Sequence, residues 1–178
     1  SSRPIEKEDK PIFDLAFQRN QPQISEFTFT NLYAWREVYQ FRISQLQGFI
    51  IIAYQQKGLT KFFNPIGSGN PSKAIEMILE ESRGEFTRIP EATKAFCENN
   101  PRFSIAPDRD NADYLYKTSE LIALKGARYD AKRNFIKKFK SRHRYAYRKL
   151  NAGNIKDGLN FAEVWCAAKG CDNIQGLS

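Results

Sequence analysis

Hydrophobic residues recur at helical spacing in two segments near the start of the chain. Residues 8–20 follow a short predicted strand at residues 3–5 and hold their apolar side chains in a helical cluster. Residues 29–39 form a second amphipathic pattern, and Thr28 or Thr30 precedes or opens it as a candidate N-cap. The pattern therefore predicts one short strand and two helices before the main run of strands.

After residue 40 the sequence pattern changes to runs of β-branched and aromatic residues. Residues 41–63 contain three such runs, broken at Gly48 and at Lys57-Gly58, which predicts a meander of three antiparallel strands. The further elements predicted are a helix over residues 72–84 with Ser72 as candidate cap, a strand at 86–89, a helix at 91–98, and strands at 103–106 and 113–116. The predicted fold class is α/β, of the α+β kind, with a mixed, mainly antiparallel sheet flanked by helices.

The last third of the chain has a different pattern. Residues 121–149 predict a long basic helix or a helix pair, with Ile136, Phe139 and His143 spaced to share one apolar side. A strand is predicted at 145–150 and a last helix at 161–168. We therefore expect three parts: a first domain over residues 1–120, a basic inter-domain helix over 121–149, and the start of a second domain over 150–178.

Almost all of the excess positive charge lies in this last third. The segment from Arg128 to Lys149 holds ten basic residues and one acidic residue, a net charge of +9 against +8 for the whole chain. Such a concentrated field attracts polyanions such as RNA or anionic lipid headgroups. The candidate polyanion-binding residues are Lys125, Arg128, Lys132, Arg133, Lys137 and Lys138. The alternative is that these side chains only form a solvated helix face.

Composition narrows the class of protein. With 41% hydrophobic and 27% charged residues in 178 residues, the chain is typical of a globular protein with one substantial core. The longest apolar run, residues 48–54, is too short to cross a bilayer, so a cytoplasmic protein, peripheral to a membrane at most, is expected. Cys97, Cys166 and Cys171 show no metal-ligand spacing, and we expect all three to be reduced and no metal to be bound.

Several segments together resemble one bacterial family. The runs DYLY, LxALKG and YxxKRNxIxKF follow one another from Asp113 onward, and ISEFTFTNLYAWREVY and FFNPIGSGNPSKAIE lie upstream in the matching order. They resemble proteins related to the C-terminal catalytic domain of phosphatidylglycerol lysyltransferases. Members of that family look like tandem repeats of the GNAT acyltransferase fold. The resemblance covers about the whole chain and implies that this sequence is the N-terminal repeat, with the C-terminal repeat missing.

The resemblance also implies a place for a cofactor. GNAT enzymes hold the pyrophosphate of acyl-CoA on a glycine-containing loop before a helix, and Asn64, Gly67, Ser68 and Gly69 occupy the matching place. Asn64 departs from the usual first residue of that loop, and Pro65 lacks an N–H donor. A tight turn between a strand and a helix explains the two glycines equally well. The donor implied by the family is a coenzyme A thioester or an aminoacyl-tRNA.

Candidate acid–base groups are few. Glu91 follows a predicted strand and Tyr116 lies in another, so both are candidate catalytic residues by position alone. His143, the only histidine, sits among cations and is expected to be partly buried in a structural role.

Three functions remain open from the sequence. The chain is the N-terminal half of a GNAT-superfamily acyl- or aminoacyltransferase, an inactive GNAT-shaped scaffold that binds RNA or an anionic membrane through its basic helix, or a purely structural half.

Overall fold

The computed structural model describes residues 2–171, which divide into two compact units between Asp113 and Tyr114. We call residues 2–113 the sheet unit and residues 114–171 the helical unit. The elements of the sheet unit are β1 (Arg3–Pro4), α1 (Lys10–Asn20), α2 (Phe29–Ala34), β2 (Arg42–Leu46), β3 (Phe49–Gln56), β4 (Leu59–Phe63), α3 (Ser72–Glu81), β5 (Glu85–Thr87) and α4 (Glu91–Cys97). The helical unit contains α5 (Thr118–Ala123), α6 (Asp130–Arg142) and α7 (Ile155–Lys169).

The five strands form one sheet in the order β1-β2-β3-β4-β5. Neighbouring strands are antiparallel except for β4 and β5, which are parallel and joined through α3. The predicted three-stranded meander is confirmed, as is the mixed, mainly antiparallel sheet with flanking helices. This architecture is compatible with a GNAT-like α+β fold.

Strand β3 is central to the sheet and is covered on both faces. Because successive side chains of a strand point to opposite faces, Ile52 and Tyr54 join one core while Ile51 joins the other. The first core includes residues of α1 and α2, such as Phe13 and Leu32, and the second includes Ala74 of α3. Two-sided burial explains why the sequence of β3, FIIIAY, is almost continuously apolar instead of alternating.

Local capping explains where two helices begin. Thr28 caps α2, because its Oγ accepts a hydrogen bond from the backbone N–H of Asn31 at 3.2 Å. At α3 the prediction of Ser72 as the cap was wrong. The side-chain oxygen of Asn70 accepts from the Ser72 N–H at 2.9 Å, so an asparagine two residues earlier takes this role.

The predicted strands at residues 103–106 and 113–116 do not form, and the predicted element order holds only through α4. Apart from the half-buried Phe103, both segments are exposed; Leu115, for example, is 98% exposed. The carboxylate of Asp113 instead accepts hydrogen bonds from the backbone N–H and hydroxyl of Ser25, at 3.1 and 2.7 Å. A short apolar alternation does not make a strand when its backbone has no neighbouring strand to bond.

In the helical unit the basic segment is a helix pair, the second of the two predicted forms. Leu124, directly after α5, adopts a left-handed φ of 45°, and Gly126, whose φ is 89°, precedes the short 3-10 turn that leads into α6. The predicted strand at 145–150 is absent from the described residues, and α7 is longer than the predicted helix at 161–168. The three-part division of the chain into residues 1–120, 121–149 and 150–178 stays a prediction.

Two expectations about single side chains were wrong. His143 is exposed at the end of α6, where its ring packs 4.9 Å from that of Phe139, because no described element covers the predicted apolar side, whose Ile136 and Phe139 are close to half exposed. Cys166 and Cys171 form a disulfide, whereas Cys97 is free and buried. The last turn of α7 brings the first two close together, which spacing alone did not indicate. None of the described helices is long and apolar enough to span a bilayer.

The start of the sheet unit depends on one buried carboxylate. Asp9 is 3% exposed, and it accepts hydrogen bonds at 2.8 Å both from the Arg3 guanidinium and from the backbone N–H of Glu6. These bonds tie β1 to the first turn of α1. The hydrogen bond from Arg3 is the main cause that lowers the pKa of the Asp9 carboxyl from its ordinary value.

We expect Asp9→Asn to lower the free energy of unfolding by about 1–3 kcal/mol, because it leaves the buried end of the Arg3 pair incomplete. Since the folded-state pKa of Asp9 lies below the unfolded one, the carboxylate stabilises the fold above the unfolded value. This contribution is lost as the pH falls through the folded value, below about pH 4. Urea denaturation measures both effects. Asp14→Asn, at an exposed pair with Lys10 on the same helix, is the control; equal effects of the two changes would contradict the account.

Candidate functional site

The glycine-containing loop connects β4 to α3, as the sequence predicts. Ile66 forms a two-way backbone bridge with Ile50, with N–O distances of 2.9 and 3.0 Å, so its N–H is not free. A Cβ atom at Gly67 would lie 2.5 Å from the ring of Phe49 and 3.1 Å from the carbonyl oxygen of Gly48. Close packing against the β2–β3 turn therefore suffices to require glycine at position 67.

The other loop positions are less constrained. The Ser68 hydroxyl donates to the side-chain oxygen of Asn20 at 2.9 Å, and the Asn64 amide donates to the carbonyl oxygen of Pro65 at 3.1 Å. Gly69 has a left-handed φ of 98° with open space around it. Within residues 2–171, the backbone N–H groups of Gly67, Ser68 and Gly69 make no hydrogen bond, so these three donors remain for an anion. Cofactor binding at Asn64, Gly67, Ser68 and Gly69 stays a prediction.

The two candidate catalytic residues lie in different units. Glu91 opens α4, where its side chain is 85% exposed and pairs with Lys94 at 2.7 Å, a bond that raises the pKa of the Lys94 amine. Tyr116 lies in the helical unit and is more than half exposed. Neither side chain sits in a dry pocket that would prepare it for proton transfer. Their catalytic role stays a prediction.

The basic candidates fall into two groups with different surroundings. The Arg133 guanidinium donates to the carbonyl oxygens of Leu124 and Gly126 and pairs with Asp130, so it fastens the turn between α5 and α6. Arg128 pairs with Glu120 at 2.7 Å. By contrast, four lysines form no ion pair or side-chain hydrogen bond within residues 2–171: Lys125, Lys132, Lys137 and Lys138. These four ammonium groups are available to an external anion.

The sheet unit also contains a cavity that no pattern in the sequence indicates. A cavity of about 120 Å³ lies near the carboxyl ends of the parallel strands β4 and β5, where ligands often bind in α/β sheets. Its lining includes the Glu26–Arg88 ion pair, whose atoms are 2.8 Å apart, and aromatic rings such as those of Trp35 and Tyr54. The buried Tyr54 hydroxyl forms a hydrogen bond with the Thr87 hydroxyl, with an O–O distance of 2.8 Å.

Two non-glycine residues at this cavity have a left-handed φ: Arg88, at 54°, and Gln40, at 51°, between the lining residues Tyr39 and Phe41. These backbone angles are visible only in the structure. A second, open groove of about 580 Å³ lies between α5 and α6 of the helical unit. Among the described residues, no group of three or more His, Cys, Asp or Glu side chains is placed to hold a metal ion.

We expect Gly67→Val to lower the thermal midpoint of the sheet unit by several degrees. The new side chain must displace Phe49 or the adjacent backbone, which costs about 1–3 kcal/mol. The loss of stability should be the same with and without coenzyme A, and calorimetry should find weak or no binding of coenzyme A to the native chain. A variant that melts like the native protein but loses a clear coenzyme A signal would contradict this.

We expect Arg133→Gln to speed hydrogen exchange at the backbone amides of residues 124–130, because it removes the donors to two carbonyl groups at the end of α5. Lys132→Gln, the neighbouring change with the same loss of charge, should leave that exchange unchanged. Mass-spectrometric hydrogen exchange on both variants makes the comparison. Equal exchange in the two variants would show that Arg133 does not hold the turn.

A solved structure and a protein-family model each match most of this chain. One solved structure, titled a conserved protein of unknown function from Bacteroides thetaiotaomicron VPI-5482, is 24% identical in sequence, with a TM-score of 0.76. The match covers 98% of this chain and 62% of that one, so this chain spans less than two thirds of the similar protein's length. The likeness supports the fold alone. No curated protein is significantly similar in sequence.

A protein-family model described as "Phosphatidylglycerol lysyltransferase, C-terminal" matches residues 17–176. That span includes the meander, the glycine-containing loop and the whole of α5 and α6. It therefore covers both units of the structure, including the basic segment. The chain belongs to the family of the phosphatidylglycerol lysyltransferase C-terminal domain.

Proposed function

We propose that this chain forms the N-terminal, GNAT-like half of an acyl- or aminoacyltransferase. The observation that carries the proposal is the family match over residues 17–176, since the family is that of a lysyl-transferring domain. The mixed sheet, with its glycine-containing loop between β4 and α3, fits the same reading. In this function the sheet unit is mainly a scaffold, and the reacting groups come together with the C-terminal repeat.

The helical unit binds the phosphate-bearing substrate. Transfer from an aminoacyl-tRNA to an anionic lipid headgroup involves one polyanion and one phosphate-bearing lipid, and Lys125, Lys132, Lys137 and Lys138 present unpaired ammonium groups to solvent. Arg128 and Arg133, also predicted from the sequence to bind polyanions, contribute to the positive field while they hold the α5–α6 turn. In this function the chain works in the cytoplasm and contacts a membrane surface peripherally.

The alternative is a scaffold that has lost catalysis and only binds RNA or an anionic membrane. Two observations favour it: Glu91 is exposed and paired with Lys94, and Gly67 is explained by its packing on Phe49. Under either function, the 178-residue chain alone should not catalyse appreciable transfer. Thioester release from a panel of acyl-CoAs, run beside amino-acid transfer from charged tRNA, tests this. Robust turnover lost on Glu91→Gln or Tyr116→Phe would place the active site in this half.

We expect the chain to bind tRNA and anionic vesicles with an affinity that falls steeply as salt rises, because each neutralised phosphate releases counterions. Reversal of charge at Lys132, Lys137 and Lys138 should weaken binding at low salt on the order of tenfold or more. It should also reduce the slope of log affinity against log salt by about two to three. Fluorescence anisotropy with labelled tRNA, together with vesicle sedimentation, measures both quantities.

The control makes the same change of charge elsewhere. Lys7, Lys57 and Lys73 are exposed in the sheet unit and form no ion pair among the described residues, so their reversal to Glu alters net charge equally. If both triple variants bind alike, only net charge matters and the α6 lysines are not the contact. If the α6 variant binds as tightly as the native chain, the helical unit has a structural role alone.

A further inference from the structure

The cavity of the sheet unit is lined largely by aromatic rings. The rings of Phe41, Tyr54 and Phe63 are buried, and their centroids lie 4.7 to 5.9 Å apart. Trp35 and Tyr39 extend this aromatic wall to the partly exposed side of the cavity, with their ring centroids 6.0 Å apart. The faces of aromatic rings carry partial negative charge and attract a cationic group. The wall therefore favours a ligand that contains a small cation.

The same cavity contains an ion pair whose positive member is held in place. The side chains of Arg88 and Glu26 are each 23% exposed, and Nε of Arg88 lies 2.8 Å from Oε1 of Glu26. Nη2 of Arg88 donates to the side-chain oxygen of Asn111 at 2.8 Å, and Cζ lies 5.3 Å from the ring centre of Phe63. A ligand would thus meet a guanidinium group that needs little further ordering.

Each member of this pair keeps hydrogen-bonding capacity that no described residue uses. Nε of Arg88 is buried but makes no hydrogen bond among residues 2–171, because its N–H is not directed at the nearby carboxylate oxygen. Oε2 of Glu26 is 3.4 Å from the Ser25 hydroxyl, whose single proton has a closer acceptor in Asp113 at 2.7 Å. Buried polar groups in native proteins normally have partners, so an unused donor beside an unused acceptor indicates a bound molecule.

The backbone around the cavity is strained at two positions. The left-handed residues Arg88 and Gln40 lie in the lining and between two lining residues, respectively. Such conformations cost free energy and cluster where a protein holds a ligand. Here they place the guanidinium group and the rings of Tyr39 and Phe41 around one space.

Size and charge together define the ligand. A volume of about 120 Å³ corresponds to roughly four water molecules, which is too small for a nucleotide or a lipid chain. In a partly dry cavity, a lone anion attracted by Arg88 is repelled by Glu26, and a lone cation meets the reverse. A molecule that carries both a carboxylate and an ammonium group complements both side chains, and its cation also contacts the aromatic wall.

We propose that this cavity, between α2 and the sheet, binds a small free zwitterion of the size of alanine or glycine betaine. Its carboxylate lies on Arg88, and its ammonium group lies between Glu26 and the aromatic wall. The aminoacyl ester of a charged tRNA is not such a ligand, because its carboxyl group is esterified and carries no charge. The inference therefore goes beyond the proposed function: the zwitterion binds the folded sheet unit and stabilises it.

The first experiment titrates the full chain with L-alanine, with glycine betaine and with two partial probes. Methyl ester of L-alanine lacks the carboxylate, and propionate lacks the ammonium group. Trp165→Phe is the background, so that the fluorescence reports on Trp35 in the cavity. Both zwitterions should change this fluorescence, and each partial probe should bind on the order of tenfold more weakly than L-alanine, because one charged contact is lost.

The second experiment removes the ion pair. Arg88→Gln should weaken binding of L-alanine by on the order of tenfold or more, because the carboxylate loses a charged donor. Since this change leaves Glu26 without its partner and can unfold the sheet unit, the double variant Glu26→Gln/Arg88→Gln removes both charges together and should bind as weakly. Arg102→Gln breaks an exposed ion pair with Glu76 and Glu80 in the same unit. This matched control should bind like the native chain.

Three results would overturn the inference. If neither zwitterion changes the fluorescence of Trp35 or raises the thermal midpoint of the chain, the cavity holds only water. If propionate or the methyl ester binds as tightly as L-alanine, the pair does not recognise both charges. If the folded double variant binds L-alanine like the native chain, the zwitterion binds elsewhere. None of these results depends on the lysine reversal in α6, so the proposed function is tested separately.

Discussion

The sheet unit depends on burial of β3 on both faces. Ile51 and Ile52 are adjacent in sequence yet enter opposite cores, so helices must cover both sides of the sheet. Helices α1 and α2 supply one cover and α3 supplies the other. This requirement also explains the loop before α3: the chain must turn sharply from β4 past Phe49, and Gly67 is the residue that leaves room for that ring.

The basic residues illustrate how two side chains of the same charge can have different roles. The Arg133 guanidinium donates hydrogen bonds to carbonyl oxygens and pairs with Asp130. Lys132, one residue earlier, has no such partner among the described residues. Charge therefore identifies the segment that we propose to bind polyanions, and hydrogen bonding identifies which of its side chains have no partner among the described residues. On this view α6 is stiffened at its start by arginine and presents lysine and phenylalanine along its length.

Much of the fold could be predicted from the sequence. The meander is an example, because its strands are long apolar runs, and β3 in particular is apolar throughout since both of its faces are buried. Prediction failed at residues 103–106 and 113–116, because whether a short alternation becomes a strand depends on a neighbouring strand that the sequence does not reveal. The disulfide and the Glu26–Arg88 ion pair were not predicted either, because each joins side chains that only the fold brings together. The lysines of α6 could be predicted as candidates from charge alone. That they lack partners while Arg133 is hydrogen-bonded could be seen only in the structure.

The central claim is that the sheet unit is a scaffold and that α6 holds the anionic partner. Differential acetylation of lysines, read by mass spectrometry with and without vesicles that contain phosphatidylglycerol, tests it residue by residue. The account predicts protection of Lys132, Lys137 and Lys138, with unchanged labelling of Lys7, Lys57 and Lys73. Protection confined to lysines of the sheet unit, with α6 labelled equally in both conditions, would contradict it.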